Sequence, residues 1–358
     1  MARTRTLVVE DSPTVRQRLM DILASDPDIE LVGAAEDGKR AIEICQQCRP
    51  DVITMDMMLP VMSGLAATEY IMAHCPTPIL VVSASTNRGE LFKIYEALAA
   101  GAVDVLEKPT GTEPEGAWER RFLSTLKLVA RIRVITHPRA RLNGSQRAAP
   151  EMMPPPGEPR RGGGKYELVA IGASTGGPGA IVEVLRGLPA EFALPILFVL
   201  HINEPFGTAF ADWLDGQTAR RVSYPKDGAP LASVTGRVVV APGDRHLIVR
   251  DRRIYLTDDP ERHSCRPSVD VLFESVASEF GGSAAACLLT GMGKDGAQGL
   301  LKIRQAGGLT IAQDEATSVI YGMPREAATL GAATHILRLG EIGPRLGALQ
   351  GMAMEAAQ

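Results

Sequence analysis

The stretch Leu168-Val-Ala-Ile-Gly-Ala-Ser174-Thr-Gly-Gly177 carries the residue types of a nucleophilic enzyme site. An apolar run gives way to small residues around one serine, and a helical pattern follows over residues 180–185. A strand, a sharp turn and a helix form the context that lifts a nucleophilic serine clear of the backbone. We expect Gly172 and Gly176 to permit the bend, and the start of the helix to stabilise negative charge on a substrate oxygen.

Three other kinds of site compete with this interpretation. A dinucleotide fingerprint would need glycine at the position of Ser174, and a P-loop would need Gly-Lys followed by Ser or Thr, so both motifs fail. A glycine-rich anion cradle, in which Ser174 only caps the helix, stays open on this stretch alone.

Two further side chains follow apolar strand patterns and could complete the site. His201 follows the run over residues 195–200, and Asp295 comes shortly after the run over residues 284–290. An imidazole can take the serine proton, and a carboxylate on its other nitrogen stabilises the imidazolium. Because parallel strands end at one edge of a sheet, the three side chains can converge there. The order Ser, His, Asp disfavours the α/β-hydrolase fold, whose order is Ser, Asp or Glu, His.

Other residues compete for these two roles when spacing alone is considered. The competing histidines are His246, His263 and His335, and the competing carboxylates are Asp270 and Asp314.

A second group of reactive side chains stands at strand ends within the first 130 residues: Glu10, Asp11, Asp56, Ser83 and Lys108. Three neighbouring carboxylates repel one another unless a cation lies among them, and hard oxygen ligands suit Mg²⁺. With the negative charge neutralised, a carboxylate can attack a phosphoryl donor and become an acyl phosphate. The group therefore predicts a phosphorylation site.

The elements that must position these residues alternate between strand and helix patterns in both halves of the chain. This alternation is typical of parallel sheets covered on both faces. We also expect a helix over residues 118–135 and a hairpin formed by residues 234–240 and 246–256. Residues 139–165 are rich in proline, glycine and basic residues and predict a mobile tether. Without interleaved aromatic residues, nucleic-acid binding by this basic run is disfavoured.

Composition bounds the class of protein. The chain has 358 residues, 45% hydrophobic and 22% charged, with a formal net charge of −4. These values are ordinary for a globular protein of two or three domains and give no reason to expect a nucleic-acid partner. No signal peptide or long apolar run is present, so we expect a cytoplasmic protein without direct membrane insertion. The pair Cys45 and Cys48 lies in a helical pattern, which disfavours a metal or redox role.

Residues 5 to about 125 resemble the receiver domain of bacterial response regulators. The resemblance implies a flavodoxin-like fold with a five-stranded parallel sheet, and phosphorylation of Asp56 by a CheA-type histidine kinase. The implied Mg²⁺ ligands are Glu10, Asp11, Asp56 and Met58, and the implied phosphoryl contacts are Ser83 and Lys108. Many receivers carry an aromatic switch residue three positions before this lysine, where this chain has Val105.

Residues 166 to about 335 resemble the catalytic domain of the chemotaxis methylesterase, the CheB-type protein-glutamate methylesterase. The matching motifs are Ile171-Gly-Ala-Ser-Thr-Gly-Gly177, Ala241-Pro-Gly-Asp-Arg-His246, Arg266-Pro-Ser-Val-Asp-Val-Leu-Phe273, Leu289-Thr-Gly-Met-Gly-Lys-Asp-Gly296 and the run from Ala312 to Pro324. The resemblance implies a doubly wound, mostly parallel α/β domain without a cofactor for the esterase. The implied triad is Ser174, His201 and Asp295, with oxyanion donors at the backbone N–H groups near Thr175 and Met292. One departure is Asn203, where the family usually has proline.

The two resemblances together imply a receiver at residues 1–125, a helix extension and linker at 126–165, and a methylesterase domain at 166–352. The implied protein is a phosphorylation-activated hydrolase that removes methyl esters from glutamyl residues of methyl-accepting chemoreceptors and deamidates their glutamines. One alternative is a signalling adaptor that binds receptors without turnover. A DNA-binding response regulator would need a helix-turn-helix where the serine turn stands, so it is disfavoured.

Overall fold

The computed structural model describes residues 3–84, 87–109, 114–132, 134, 166–202, 206–207 and 209–350, the last without its side chain. The predicted tether at residues 139–165 and the departure at Asn203 lie outside the described residues.

Five parallel strands form the sheet of the first half. These strands are β1 (Thr4–Val9), β2 (Ile29–Ala35), β3 (Val52–Met55), β4 (Ile79–Ser83) and β5 (Asp104–Glu107). The helices are α1 (Pro13–Ala24), α2 (Gly38–Cys48), α3 (Gly64–His74), α4 (Arg88–Ala99) and α5 (Ala117–Val129). The strand order is β2-β1-β3-β4-β5, and every pairing is parallel. The expected five-stranded parallel receiver is therefore confirmed.

Local side-chain chemistry sets where these helices begin. Ser12, Asp37, Ser63 and Asn87 each accept a hydrogen bond from the backbone N–H three residues further on, at the starts of α1 to α4. Such caps satisfy N–H groups that have no partner within the helix.

Helix α5 is shorter than the pattern over residues 118–135 predicts. It ends at Val129, because the backbone N–H groups of Arg131 and Ile132 bond three residues back and close the last turn. The helix also crosses the expected boundary at residue 125, since Leu126 and Val129 are buried in the core of the receiver.

Seven parallel strands form the main sheet of the second half. The strands of the second half are β6 (Leu168–Ala173), β7 (Ile196–Leu200), β8 (Val222–Ser223), β9 (Ala229–Pro230), β10 (Val238–Val240), β11 (His246–Arg250), β12 (Arg253–Thr257), β13 (Ala284–Leu288), β14 (Leu309–Gln313) and β15 (His335–Leu337). Its helices are α6 (Gly177–Arg186), α7 (Phe210–Gln217), α8 (Val269–Phe280), α9 (Ala297–Gln305), α10 (Met323–Thr329) and α11 (Leu339–Gly347). The parallel sheet has the order β15-β14-β13-β6-β7-β10-β8, and β11-β12-β9 form a small antiparallel sheet. The expected mostly parallel α/β domain is confirmed.

The predicted hairpin between residues 234–240 and 246–256 is wrong. Strand β10 joins the main sheet between β7 and β8, where its three valines are buried. The hairpin is instead formed by β11 and β12, with Asp251 and Arg252 at φ values of 51° and 55° in its turn. An alternating pattern marks a strand but does not identify the strand that pairs with it.

The two halves pack through α4 of the receiver against α6 and α7. Tyr95 on α4 is fully buried, and its ring centroid lies 5.4 Å from those of Phe210 and Trp213. Arg88 forms an ion pair with Asp212 at 2.8 Å on the rim of this contact. Within the described residues, no helix has both the length and the hydropathy needed to cross a bilayer.

Candidate active site

Strand β6 lies at the centre of the parallel sheet, with β7 on one side and β13 on the other. Ser174 follows β6. Its N–H donates at 3.0 Å to the carbonyl oxygen of Thr290, which follows β13. His201 follows β7, and its N–H donates to Ala173 O at 3.0 Å. The ladder bonds thus continue past the strand ends and hold both residues at one edge of the sheet, the usual place for ligand sites in doubly wound folds.

The two glycines around Ser174 have different structural roles. Gly176 has φ +78° at the start of α6, a conformation that glycine adopts without strain. Gly172 lies within β6, and a Cβ there would stand 2.2 Å from Val269 Cγ1. The expectation that both glycines permit the bend is therefore corrected, because Gly172 serves the close packing of α8 instead.

His201 and Asp295 form a hydrogen-bonded pair, with Nε2 and Oδ2 2.8 Å apart. The Asp295 carboxylate also accepts from Ser268 Oγ at 2.7 Å and from the N–H groups of Val269 at 2.6 Å and Asp270 at 3.1 Å. Burial raises the pKa of Asp295, but these bonds lower it by more, so the net pKa is lowered. The carboxylate is thus held charged and in one orientation.

The second nitrogen of the imidazole, His201 Nδ1, lies 3.7 Å from Cys265 Sγ. Burial lowers the pKa of His201, but contacts with Asp295 and Cys265 raise it by more, to about 9. In the described part of the chain, no hydrogen bond joins the Ser174 hydroxyl to the imidazole. The pair formed by His201 and Asp295 is therefore assembled in this state, whereas the contact between serine and base is not.

A cavity of about 470 Å³ brings the candidate residues together. Its lining from the second half includes Ser174, Thr175, His201, His263, Cys265 and Met292. Its lining from the receiver includes Val105, Leu106, Glu107, Arg121 and Leu128. Strand β5 and helix α5 of the receiver thus lie directly across the cavity from Ser174.

The two expected oxyanion donors, Thr175 and Met292, both line this cavity. A Cβ on Gly291 would stand 2.8 Å from Ser174 Cβ, so the backbone just before Met292 lies against the serine. Thr290 joins the two segments, since its Oγ1 donates to Thr175 O at 3.0 Å. Backbone from both segments is therefore close to the Ser174 side chain.

The residues that competed with His201 and Asp295 have other partners. His246 is fully buried, accepts from Ser268 N–H at Nδ1, and has Nε2 3.2 Å from Pro260 O. The other contacts pair His263 with Asp270 at 3.1 Å, His335 with Arg345 at 3.3 Å, and Asp314 with the N–H of Thr317 at 3.1 Å.

Sequence reasoning missed two residues of the site. Ser268 lies in one of the matching motifs without a predicted role, yet it caps α8 and its hydroxyl also donates to Asp295. Its position before an amphipathic helix was the available signal. Cys265 lies in an irregular loop, and no local pattern places it against His201.

The receiver holds the second cluster of reactive residues. Lys108 Nζ lies 2.8 Å from Asp56 Oδ2 and 2.7 Å from Glu10 Oε2. Burial lowers the pKa of Lys108, but its bonds to the two carboxylates raise it by more, whereas burial is the main cause of the raised pKa of Glu10. Ser83 is buried at the end of β4, and its carbonyl accepts from the Lys108 N–H at 3.0 Å.

The donor set of this cluster fits Mg²⁺. Carboxylate oxygens of Glu10, Asp11 and Asp56 all lie within 4.8 Å of one another. Met58 lies beside them, since its backbone N–H donates to Asp56 Oδ1 at 3.3 Å. Several oxygen donors around one point form the arrangement that Mg²⁺ prefers.

Comparison with known proteins assigns a family model to each half. Residues 169–346 match the model of the CheB methylesterase, and residues 6–114 match that of the response regulator receiver domain. The chain is 42% identical over 338 residues to protein-glutamate methylesterase/protein-glutamine glutaminase 2 of Anaeromyxobacter dehalogenans, covering 94% of each chain. It is 41% identical over 357 residues to protein-glutamate methylesterase/protein-glutamine glutaminase 4 of Geobacter metallireducens, covering 98% of this chain and 99% of the relative.

Among solved structures, the CheB methylesterase catalytic domain of Thermotoga maritima matches 51% of this chain and 98% of its own. The sequence identity is 34% and the TM-score is 0.49.

Proposed function

Because the chain belongs to the CheB methylesterase family and carries a response regulator receiver domain, we propose that it is a phosphorylation-controlled protein-glutamate methylesterase with protein-glutamine glutaminase activity. Its substrates are methyl-accepting chemoreceptors, and its phosphodonor is a CheA-type histidine kinase. The observation that carries the proposal is the His201–Asp295 pair at 2.8 Å beside Ser174, in a cavity faced by the receiver.

In the proposed reaction, Ser174 Oγ attacks the carbonyl carbon of a glutamyl methyl ester. The Ser174 proton passes to His201 and then to the departing methoxide, which leaves as methanol. Water activated by the same imidazole hydrolyses the acyl-enzyme and frees the carboxylate. Backbone N–H groups near Thr175 and Met292 stabilise the oxyanion. With glutamine as substrate, ammonia leaves in place of methanol.

The hydrogen bonds of His201 assign its two nitrogens to different tasks. Nε2 is committed to Asp295, so Nδ1 is the nitrogen that accepts the serine proton. In this state Nδ1 faces Cys265 Sγ rather than Ser174 Oγ. Assembly of the active state therefore requires a movement that brings the serine hydroxyl to Nδ1.

The receiver controls access to this chemistry. Asp56 is the proposed phosphoacceptor, with Ser83 and Lys108 contacting the phosphoryl group. Glu10, Asp11, Asp56 and the Met58 carbonyl would hold Mg²⁺, which would supply positive charge that offsets the phosphoryl oxygens. Since β5 and α5 line the cavity, weakening of the receiver contact on phosphorylation exposes the serine. We propose a division into a receiver at 1–125, a helix extension and linker at 126–165, and a methylesterase domain at 166–352.

Methanol release from a methylated receptor tests the proposal. The full chain is expected to release methanol, and to do so faster with a phosphodonor. Ser174→Ala is expected to lose about 10⁶ in turnover while folding normally. The matched control is Ser223→Ala, since Ser223 is exposed on β8. A receptor-binding adaptor without turnover would release no methanol under any of these conditions.

A further inference from the structure

His201 Nδ1 and the Cys265 thiol lie next to each other, and the proposed reaction gives the thiol no role. Nδ1 and Sγ lie 3.7 Å apart, and Cys265 is half-buried. Both residues line the cavity that contains Ser174 and also a smaller neighbouring cavity of about 310 Å³. A thiolate and an imidazole nitrogen are ligands that Zn²⁺ prefers over hard cations.

The separation of the two atoms suits one tetrahedral metal ion. With Zn–S of about 2.3 Å and Zn–N of about 2.0–2.1 Å, the tetrahedral angle places sulfur and nitrogen about 3.6 Å apart. The distance in this protein is 3.7 Å. The observed separation is therefore close to the one that a tetrahedral zinc ion requires.

The surroundings of His201 also match those of a zinc ligand. A metal-bound histidine usually donates its other ring N–H to a carboxylate, which fixes the tautomer. Here Nε2 is bonded to Asp295, whose oxygens also accept from Ser268, Val269 and Asp270. The carboxylate is thus occupied as an outer partner of the histidine, and Nδ1 is the nitrogen directed at a ligand.

We propose that Zn²⁺ binds between His201 Nδ1 and Cys265 Sγ, with solvent at the remaining positions, and inhibits hydrolysis. Binding releases to solvent the thiol proton of Cys265 and any proton carried by His201 Nδ1. The metal takes the lone pair that would accept the Ser174 proton. The inhibitory effect rests on the proposed function, whereas the binding does not.

The other thiols determine the controls. Cys45 and Cys75 lie in the receiver with their sulfurs 3.6 Å apart and can also take up zinc. Measurements are therefore made on full-length chains that carry Cys75→Ser. The matched control is Cys48→Ala, because Cys48 is a half-buried thiol on α2, in the other domain.

Direct binding is measured on full-length Ser174→Ala protein with Co²⁺ and with Zn²⁺ in competition with a chromophoric chelator. With saturating Mg²⁺ present to occupy the receiver site, we expect one equivalent of bound Co²⁺ or Zn²⁺ that depends on Cys265, and a thiolate-to-cobalt charge-transfer band. Cys265→Ala should lose the band and bind zinc at least about tenfold more weakly, whereas Cys48→Ala keeps both. Zinc affinity unchanged by Cys265→Ala overturns the site. Cys265→Ser replaces it if the alanine variant does not fold.

Inhibition is measured as methanol release by the chain with Ser174 intact. Zinc should abolish the reaction, and Cys265→Ala should need at least about tenfold more zinc for half-inhibition, relative to its own zinc-free rate. If zinc binding depends on Cys265 but the rate of methanol release is unchanged at saturating zinc, the inhibitory part of the proposal is wrong. Absence of methanol release from the zinc-free chain contradicts the proposed function instead, and the binding measurement then decides the site alone.

Discussion

The phenolic hydroxyl of Tyr95, on helix α4 of the receiver, donates a hydrogen bond to the backbone carbonyl of Phe206 in the second half. Phe206 belongs to the segment between His201 and α7, and it lines the cavity that contains Ser174. The receiver therefore lies across the cavity and also forms a hydrogen bond with the segment that follows the proposed base, His201.

Tyr95→Phe should raise the unstimulated rate of methanol release by about two- to tenfold. The change removes a hydrogen bond worth about 0.5–1.5 kcal/mol while keeping the ring between Phe210 and Trp213, so it favours the undocked state. The control is Tyr255→Phe, because Tyr255 lies on β12 of the small antiparallel sheet. Equal unstimulated rates in wild type and Tyr95→Phe would show that this bond does not restrain the enzyme.

Asp295→Asn should reduce turnover by about 10⁴ with Ser174 still present, because an amide cannot stabilise the imidazolium or hold the same tautomer. The fold should persist with a lower free energy of unfolding. The amide oxygen can still accept from Ser268 Oγ and the Asp270 N–H, but the amide NH2 group would face the Val269 N–H. Single-turnover methanol release measures the loss. Asp258→Asn is the control, and a comparable loss in that variant would contradict a specific role for Asp295.

Activity should rise with pH towards about 9. The pKa of His201 stands at about 9, and the base accepts a proton only in its neutral form. Below that pKa each unit of pH should therefore lower kcat/KM by about tenfold. Cys265→Ala removes one contact that raises this pKa, so the midpoint should move to lower pH. A wild-type midpoint at the ordinary histidine value of about 6.5 would contradict the prediction.

Asp56→Asn should abolish the rise in rate caused by a phosphodonor and leave the unstimulated rate, because an amide cannot form the acyl phosphate. Removal of Mg²⁺ with a chelator should have the same effect on the wild-type chain. The measurement is methanol release with and without acetyl phosphate. Asp21→Asn, an exposed position on α1, is the control. Full activation of Asp56→Asn would place the phosphoacceptor elsewhere.

Gly172→Ala should lower the free energy of unfolding by roughly 1–3 kcal/mol, because the new Cβ would overlap Val269. Activity should fall as well, since the Val269 N–H bonds to Asp295. Urea denaturation measures the first effect. Gly216→Ala on α7 is the control: its Cβ meets nothing within 4 Å, so a gain of roughly 0.5–1 kcal/mol is expected. If Gly172→Ala left the free energy of unfolding unchanged, α8 would be able to shift and make room for the new Cβ.

Strand and helix periodicities are local properties, so the sequence alone predicts parallel sheets covered by helices in both halves. The resemblance to known families implies the five strands of the receiver and the mostly parallel sheet of the second half. The same locality explains the errors. The buried valines of β10 indicated a strand but not its partner β7, and the apolar pattern after Val129 did not show that the helix ends there. The roles proposed for Ser174, His201 and Asp295 stay predictions, although the strand ends on which they were placed are present.

Tertiary structure alone decided how distant segments meet. Nothing local to His201 indicates that Nε2 bonds to Asp295 while Nδ1 faces Cys265, because that choice depends on how the loop before α8 packs over the sheet edge. Nor does any motif predict that β5 and α5 of the receiver line the cavity around Ser174. Periodicity reports which face of an element is buried. The side chain that covers that face is set by packing between elements far apart in the chain.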